Sequence, residues 1–563
     1  MNFTLNKFKL LLHTIRYLTF QQVAYRVYYQ LKRKFYTWKP DRINQQLKTT
    51  KLDIQVRPIL FQESGIPHYQ GDIEDLLNNK ITFLNQKFEF EATINWQNPA
   101  LNVGTRLWKL NLNYHEYLID VARIYEKSGQ QRYLQYIQQH ISNWCDQNPF
   151  GTPAYYKDNW NSYAISLRCM AWIKVFNLVG DHFTEDFRGK ITNSICVQYD
   201  FLSNNLEWDL KGNHLLENSF ALLFSAYFFK DQSLLDQATS LLNQELKEQI
   251  LPDGGHYELS PMYHQLLLFR VLDCYNLVKN NPPLDSKLLN LLKEKAEIML
   301  GWLLQITFQN GDIPLLNDAA FKVSPTTKAL RAYAEKLGIT KKIISLKESG
   351  YRKINKKNYE IIIDIGQIGP DYIPGHAHSD TFNFVLYVDQ QPFIVDTGTS
   401  TYNPTARRQL ERSTAAHNTV QIGNWEQSET WASFRVARRA YPQIIVDSET
   451  KIAAKLKYAT QDVWHHRTFQ FATKSIIIED RVEAKQMAKA IYHFHPTAAV
   501  TIANQSIQTN FGTIEFKGAQ KIVLASYDYA PEFNRLIPAQ KAIITFQKNL
   551  LTKFHYENPI YNR

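Results

Sequence analysis

Near residue 340 the hydrophobic period of the chain changes from that of a helix to that of a strand, so two different layered folds must follow one another. From about Gly104 to Gly338 apolar residues recur at helical spacing: Leu107, Leu110 and Leu112 with Tyr117 and Leu118, then Tyr133, Ile137 and Ile141, then Ile165, Met170 and Ile173. Gly129, Gly180-Asp181 and Gly311-Asp312 interrupt the pattern and leave helical segments of roughly fifteen to twenty residues. Antiparallel helical hairpins without a strict sequence repeat fit an incomplete α/α toroid better than a regular solenoid, and such toroids hold a ligand in a groove at one end. Beyond a charged stretch at 341–357 the text is that of strands: Tyr359 to Ile365, Phe382 to Val388, Phe393 to Val395, Ser475 to Ile478 and Ala542 to Phe546. Turns such as Asp389 to Pro392 separate them, which predicts an antiparallel β-sandwich. The expected architecture is α+β and multidomain, with a basic arm and lead-in over 1–100, a toroid over 101–340 and a sandwich over 341–563; 563 residues exceed what one core holds.

Composition narrows the class of partner. Thirty-two Tyr, thirty-two Phe and eleven Trp exceed the needs of a compact core, and exposed aromatic rings are what sugar rings stack against. Cys145, Cys169, Cys196 and Cys274 form no CxxC pair and read as small buried hydrophobes rather than a disulfide framework. Eight of the basic residues behind the formal charge of +11 lie in residues 1–40, which contain no Asp or Glu. This arm reads as a basic amphipathic helix that either lies on an anionic membrane or docks on its own protein. Nucleic acid is not expected as a partner, because no recognition motif accompanies the charge. No run of about eighteen apolar residues occurs, so no transmembrane helix is expected. His13 and Arg16 break the only early apolar run, so no signal peptide is read either, and the expected location is cytoplasmic or membrane-peripheral, with export left open.

Three stretches carry candidate chemistry. Gly375-His376-Ala377-His378-Ser379-Asp380 places two histidines one residue apart in strand-like text, so both imidazoles would project from one face, with Asp396 and His417-Asn418 arriving from later elements. That set suits a divalent metal. In the helical half, Gly212-Asn213-His214 opens a helix with Asn213 at an N-cap position, and Glu217 and Asn218 follow on the next turn. Asp253-Gly254-Gly255 then makes a tight turn, and Pro261 can begin the helix that carries Tyr263.

Together these stretches resemble the heparinase II/III family of polysaccharide lyases and the related alginate and oligoalginate lyases. The resemblance covers most of the chain and rests on Leu107-Trp108, Leu112 to His115, Trp160 with Ser166 and Arg168, Asn213-His214 with Glu217-Asn218, Asp253-Gly254 with Glu258, Ser260 and Tyr263, and the block from His376 to His417. Arg412-Ser-Thr-Ala-Ala-His417-Asn-Thr-Val420 is its most specific match. It implies a carbon–oxygen lyase that cleaves a uronate-containing acidic polysaccharide by β-elimination. Tyr263 and Tyr402 would be the base and acid, with His376 or His214 as a substitute partner. Asn213, His376 and His214 would stabilise the charge on the uronate carboxylate. Glu217, Asn218, Glu258 and Arg412 would orient substrate or catalytic groups, Glu217 by holding His214. His378, Asp396 and His417 would bind a structural metal, for which two His and one carboxylate suit zinc. Arg407, Arg408, Arg412 and Arg435 are open to two readings, contacts to substrate carboxylates or sulfates and the solvated surface charge that loop arginines more often are.

Two other classes stay open at this stage. A toroidal glycoside hydrolase would use a carboxylate pair drawn from Asp253, Glu258, Asp312 and Asp318. A non-catalytic glycan-binding protein of surface-polysaccharide assembly would fit the basic arm.

Overall fold

The computed structural model describes residues 2–39, 56, 58–90, 93–96, 105–150 and 159–556. The expected boundary at residue 100 and Gly104, the expected start of the helical pattern, fall outside them. Helices α1 (Asn2–Ile15) and α2 (Phe20–Trp38) form the arm, followed by α3 (Ile73–Leu77) and the hairpin of β1 (Lys80–Phe83) and β2 (Gln86–Glu89). The helical array comprises α4 (Arg106–Tyr114), α5 (Tyr117–Ser128), α6 (Gln131–Gln147), α7 (Ser162–Val179), α8 (Glu185–Ser203), α9 (Gly212–Phe229), α10 (Gln232–Gln249), α11 (Pro261–Asn280), α12 (Ser286–Ile306) and α13 (Thr327–Leu337). Gly129 and Gly338 end α5 and α13 in the left-handed conformation, at φ 66° and 76°. Thr184, Asp231, Asp285 and Thr326 start α8, α10, α12 and α13 by accepting backbone N–H groups.

Two rings of helices result. Nearly every residue of α7, α9 and α11 is buried, as expected of helices apolar all round, and these line the inside. Helices α6, α10 and α12 bury one stripe each and lie outside. Helix α9 packs on α7, α10 and α11, and α11 on α12 and α13, which is the curved double layer of an α/α toroid. Ile59, Ile66, Tyr69, Leu76 and Ile81 of the lead-in join the same core.

The strands that follow form a sandwich. One sheet has eight strands in the order β10 (Pro442–Asp447), β11 (Lys451–Lys457), β12 (Trp464–Phe471), β13 (Ser475–Glu483), β20 (Asn549–His555), β17 (Gly512–Lys517), β16 (Ser506–Thr509), β15 (Val500–Ala503). Across the core lie β3 (Tyr351–Asn355), β4 (Tyr359–Asp364), β5 (Phe384–Val388) and β6 (Gln391–Ile394), together with a sheet ordered β18 (Lys521–Glu532), β19 (Arg535–Phe546), β14 (Ala488–His493), β7 (Val420–Ile422), while β8 (Thr430–Trp431) and β9 (Arg435–Val436) pair as a separate short ribbon. Asp389 and Gln390 both take positive φ, 48° and 65°, in the two-residue turn that joins β5 to β6.

Strands β4 and β5 are buried along their whole length, and their alternate residues explain why. Ile361, Ile363, Phe384 and Leu386 enter the sandwich core, while Ile362, Val385 and Tyr387 belong to the helical core. An uninterrupted apolar run is what burial on both faces requires. Tyr387 closes the seam by stacking on Phe308 at 3.9 Å and donating to Asp312 Oδ2 at 3.1 Å.

Of the two fates open to the arm, docking is observed. Gln22 is buried and its amide donates to the carbonyls of Leu210 (3.3 Å) and Tyr372 (3.2 Å), one on each side of the seam. Among the described residues no helix is long and apolar enough to cross a membrane. Cys169, Cys196 and Cys274 are buried and Cys145 half-buried, all as free thiols.

Because the helical core extends onto β4, Ile362→Ala is expected to cost about 2–5 kcal/mol. Urea unfolding followed by far-ultraviolet dichroism should show helical and strand signals losing stability together; a sandwich that melts alone would contradict the shared core.

Candidate active site

Four pieces of chain converge where the toroid meets the sandwich: the first turns of α9 and α11, the segment 374–380, and the segment 399–408 that runs into α14 (Ala406–Glu411). Helix α11 begins as the sequence predicts. Pro261 occupies its first turn and Ser260 Oγ accepts the Tyr263 N–H at 3.4 Å, which sets the exit direction of the Tyr263 side chain. The Tyr263 ring stacks on His376 with centroids 3.9 Å apart, and its hydroxyl lies 3.2 Å from that of Tyr402. Phe434 and Phe533 pack edge-on against Tyr402, and the Arg408 guanidinium stands 5.0 Å over its ring.

Segment 374–380 is a loop rather than the expected strand, yet both histidines reach the same carboxylate. Asp318 Oδ2 lies 3.0 Å from His376 Nδ1, and Asp318 Oδ1 lies 2.9 Å from His378 Nε2. Arg408 donates to both oxygens of this carboxylate, which is wholly buried. Burial alone would raise the Asp318 carboxyl; Arg408 and the two imidazoles override it and hold it well below the usual carboxylate range. His378 is pushed down to about 4, chiefly by burial, which keeps it neutral.

Two arginines take up neither a surface position nor one facing a ligand. Arg408 is buried in its ion pair. Arg412, expected to orient substrate, is also wholly buried and donates to the carbonyl of Ala377 (3.1 and 2.9 Å) and to that of Ala432 (3.1 Å). It fixes the backbone between the two histidines rather than meeting a ligand. Arg407 pairs with Glu411, and Arg435 lies over the Trp431 ring.

At α9 the N-cap is Lys211, two residues before the expected Asn213. The helix starts at Gly212, with φ 60°, and Asn213 lies inside its first turn, donating its backbone N–H to Glu258 Oε1 at 2.9 Å. A Cβ on Gly212 would come within 2.6 Å of that carboxylate oxygen, so only glycine allows the approach. Glu258 Oε2 in turn lies 3.5 Å from His376 Nε2, so one buried carboxylate orients both Asn213 and His376. Burial raises the Glu258 carboxyl. The side-chain oxygen of Asn213 is buried without a partner.

Glu207, not Glu217, holds His214. Its Oε1 lies 2.9 Å from His214 Nδ1, and the imidazole packs on Tyr163 with centroids 4.6 Å apart. Asn218 positions this glutamate by donating to Oε2 at 3.1 Å and accepting the Glu207 N–H at 2.9 Å. Glu217 points into the helical core, where it pairs with Arg270 at 3.3 Å, and burial pushes its carboxyl up to about 7. Burial would lower the His214 imidazole, but the Glu207 carboxylate outweighs it and raises the value above the usual 6.5. Glu207 lies in the turn between α8 and α9, where no periodicity marks it.

The residues expected to bind metal lie behind this layer. Asp396 Oδ2 lies 2.7 Å from His417 Nδ1 and accepts from Asn383 at 2.5 Å, and the rings of His378 and His417 are 5.3 Å apart. His378 Nδ1, His417 Nε2 and Asp380 Oδ2 are buried without partners. Among the described residues no three His, Cys, Asp or Glu side chains already converge as a metal site.

Comparison with known proteins bears on both halves. Residues 21–341 match the heparinase II/III N-terminus and residues 338–557 match the heparinase II/III-like C-terminal family. A heparin-sulfate lyase of Pedobacter heparinus is 25% identical over 372 residues, 60% of this chain and 55% of that protein. One of Bacteroides thetaiotaomicron is 22% identical over 298 residues, 51% of this chain and 42% of that protein. The chain thus spans about half the length of these curated relatives. Among solved structures, heparinase III superposes with a TM-score of 0.68 at 17% identity over 93% of this chain and 91% of that one. Heparan sulfate lyase HepC of Pedobacter heparinus gives 0.57 at 19% identity over 92% and 88%. With matches that run through the toroid and the sandwich alike, the chain belongs to the heparinase II/III-like family.

Proposed function

We propose that this protein is a carbon–oxygen lyase that cleaves an acidic polysaccharide at a uronate residue by β-elimination. The observation that carries the reading is the Tyr263–Tyr402 hydroxyl pair, 3.2 Å apart and flanked by the stacked His376. Elimination needs one group to take the C5 proton as the C4–C5 double bond forms and another to protonate the departing C4 oxygen. It also needs the uronate carboxylate to be hydrogen-bonded or neutralised as charge spreads onto it. His214, whose imidazole Glu207 makes a stronger base, serves that end with Asn213 and His376. Burial, with Asp318 adding to it, pushes both phenols far above their ordinary range, so the resting pair is protonated. That is the state the acid requires. The phenol acting as base first loses its proton to solvent, helped by Arg408, which favours the phenolate, and then takes the C5 proton while the other phenol gives its own to the C4 oxygen. Once product leaves, the hydrogen bond between the two phenols is a path by which the proton returns. The names of the Pedobacter and Bacteroides relatives, heparin-sulfate lyases, support a uronate-bearing substrate.

The hydrolase reading lacks a free carboxylate pair. Asp253 is wholly buried and accepts from Lys347 N–H, Ser349 N–H and Ser349 Oγ, Asp318 is consumed by Arg408, and Asp312 is bound by Tyr387.

A structural divalent metal belongs to the same proposal. The partnerless ring nitrogens of His378 and His417 are the observation that fits it, with Asp396 as third donor or as the carboxylate that orients His417. Zinc suits this donor set, and when bound it would brace the His376 segment, since elimination consumes no water to activate.

Three outcomes test these assignments. Tyr263→Phe should lower kcat on a uronate polymer about 10²- to 10⁴-fold with KM little changed, read as the near-ultraviolet absorbance of the unsaturated product. New reducing ends without that absorbance would show a hydrolase. Glu207→Gln should shift the alkaline limb of kcat/KM to lower pH: the carboxylate raises the imidazole above the usual 6.5 against burial, and without it burial is opposed only by the weaker pull of Glu258 and Asp209. An unmoved limb would remove His214 from the mechanism. His378→Ala should lose bound metal, by mass spectrometry of the purified protein, and melt earlier, whereas His376→Ala should keep metal and lose activity.

A further inference from the structure

We propose that the N-terminal helices carry the protein onto an anionic lipid surface through the face they turn away from it. Helix α2 is docked by one face only. Gln22, Arg26 and Tyr29 donate to the carbonyls of Leu210, Asp209 and Leu206, and Tyr25 stacks on Trp208 at 5.9 Å. At 3.6 residues per turn the opposite face presents Phe20, Val27, Leu31 and Trp38, which are 88%, 53%, 61% and 73% exposed. In α1, Phe8, Leu12 and Ile15 are likewise exposed at helical spacing. A docked helix would normally turn its apolar face inward, so this arrangement is inverted. An apolar stripe running over two successive helices marks a surface that is covered in use.

Charge identifies the cover. Lys34 beside the stripe of α2, Lys39 just past its end, and Lys9 and Arg16 in and after α1 are exposed, and residues 1–40 contain no acidic side chain. Apolar side chains rimmed by long basic ones, with no anion among them, match the headgroup layer of a bilayer containing anionic lipid. The docking contacts hold the two helices against this insertion without using the stripe. They also connect it to the active site, since Leu210 lies three residues before Asn213 and Tyr372 four before His376. A chain bound in this way presents the seam between toroid and sandwich at a fixed attitude to the surface.

The test is sedimentation of the full chain with vesicles of phosphatidylcholine alone or mixed with phosphatidylglycerol. The protein is expected to pellet with the mixed vesicles and to remain in solution with phosphatidylcholine. The double variant Val27→Glu/Leu31→Glu should bind at least about tenfold more weakly. Lys9→Gln/Lys34→Gln should bind roughly 30-fold more weakly and with less salt dependence. None of the four positions makes a docking contact, so unchanged melting temperatures and unchanged activity on soluble polymer would show that only binding is affected. Failure of the parent to pellet with anionic vesicles, or equal binding by Val27→Glu/Leu31→Glu, would overturn the proposal. So would light scattering that shows a parent dimer and a Val27→Glu/Leu31→Glu monomer, which would assign the stripe to a second copy.

Discussion

The buried Asp318–Arg408 ion pair is the interaction on which the geometry of the site depends. A carboxylate and a guanidinium with almost no exposure lose most of their hydration, and only near-ideal hydrogen bonding compensates. Asp318 obtains it: two bonds from Arg408 and one contact from each of His376 and His378. Every one of these partners lies on the sandwich side of the chain, while Asp318 lies in the connection after α12. The pair therefore fixes how the sandwich loops sit against the end of the toroid. Arg408 also stands over the Tyr402 ring, so the same fork that anchors the loop tunes the phenol. Neither charge reaches solvent, which makes their role one of placement.

A second constraint acts at longer range. Because Ile362, Val385 and Tyr387 are packed into the helical core while their neighbours along the strands fill the sandwich, the two domains cannot rotate about the seam without exposing both cores. A pair of hydroxyls 3.2 Å apart on different domains needs such rigidity, since Tyr263 belongs to α11 and Tyr402 to a sandwich loop. Gln22 adds a polar tie across the same seam from outside.

The change of period near residue 340 made the order of architectures legible, because both the 3.6-residue stripe and the strand text follow directly from which faces are buried. Pro261 and Ser260 were legible for the same reason: their effect on a helix start is local. What escaped is consistently non-local. The His376–His378 alternation reads as a strand, but an aspartate 58 residues away in sequence from His376 organises those side chains from a loop. Glu217 stands on the turn after His214, and spacing favours it as partner, yet Arg270 from α11 draws it into the core and leaves Glu207 to fill the role. Arg408 and Arg412 look solvated because arginines in loops usually are; they are buried because Asp318 and the Ala377 carbonyl await them.

The two tyrosines illustrate how this design limits itself. Burial penalises a phenolate at either ring, and Asp318 increases the penalty. A site that kept a phenolate at rest would need net positive charge beside it, and the nearest cation, Arg408, is already spent on Asp318. The site thus holds neutral phenols beside a His214 imidazole whose hold on its proton Glu207 strengthens.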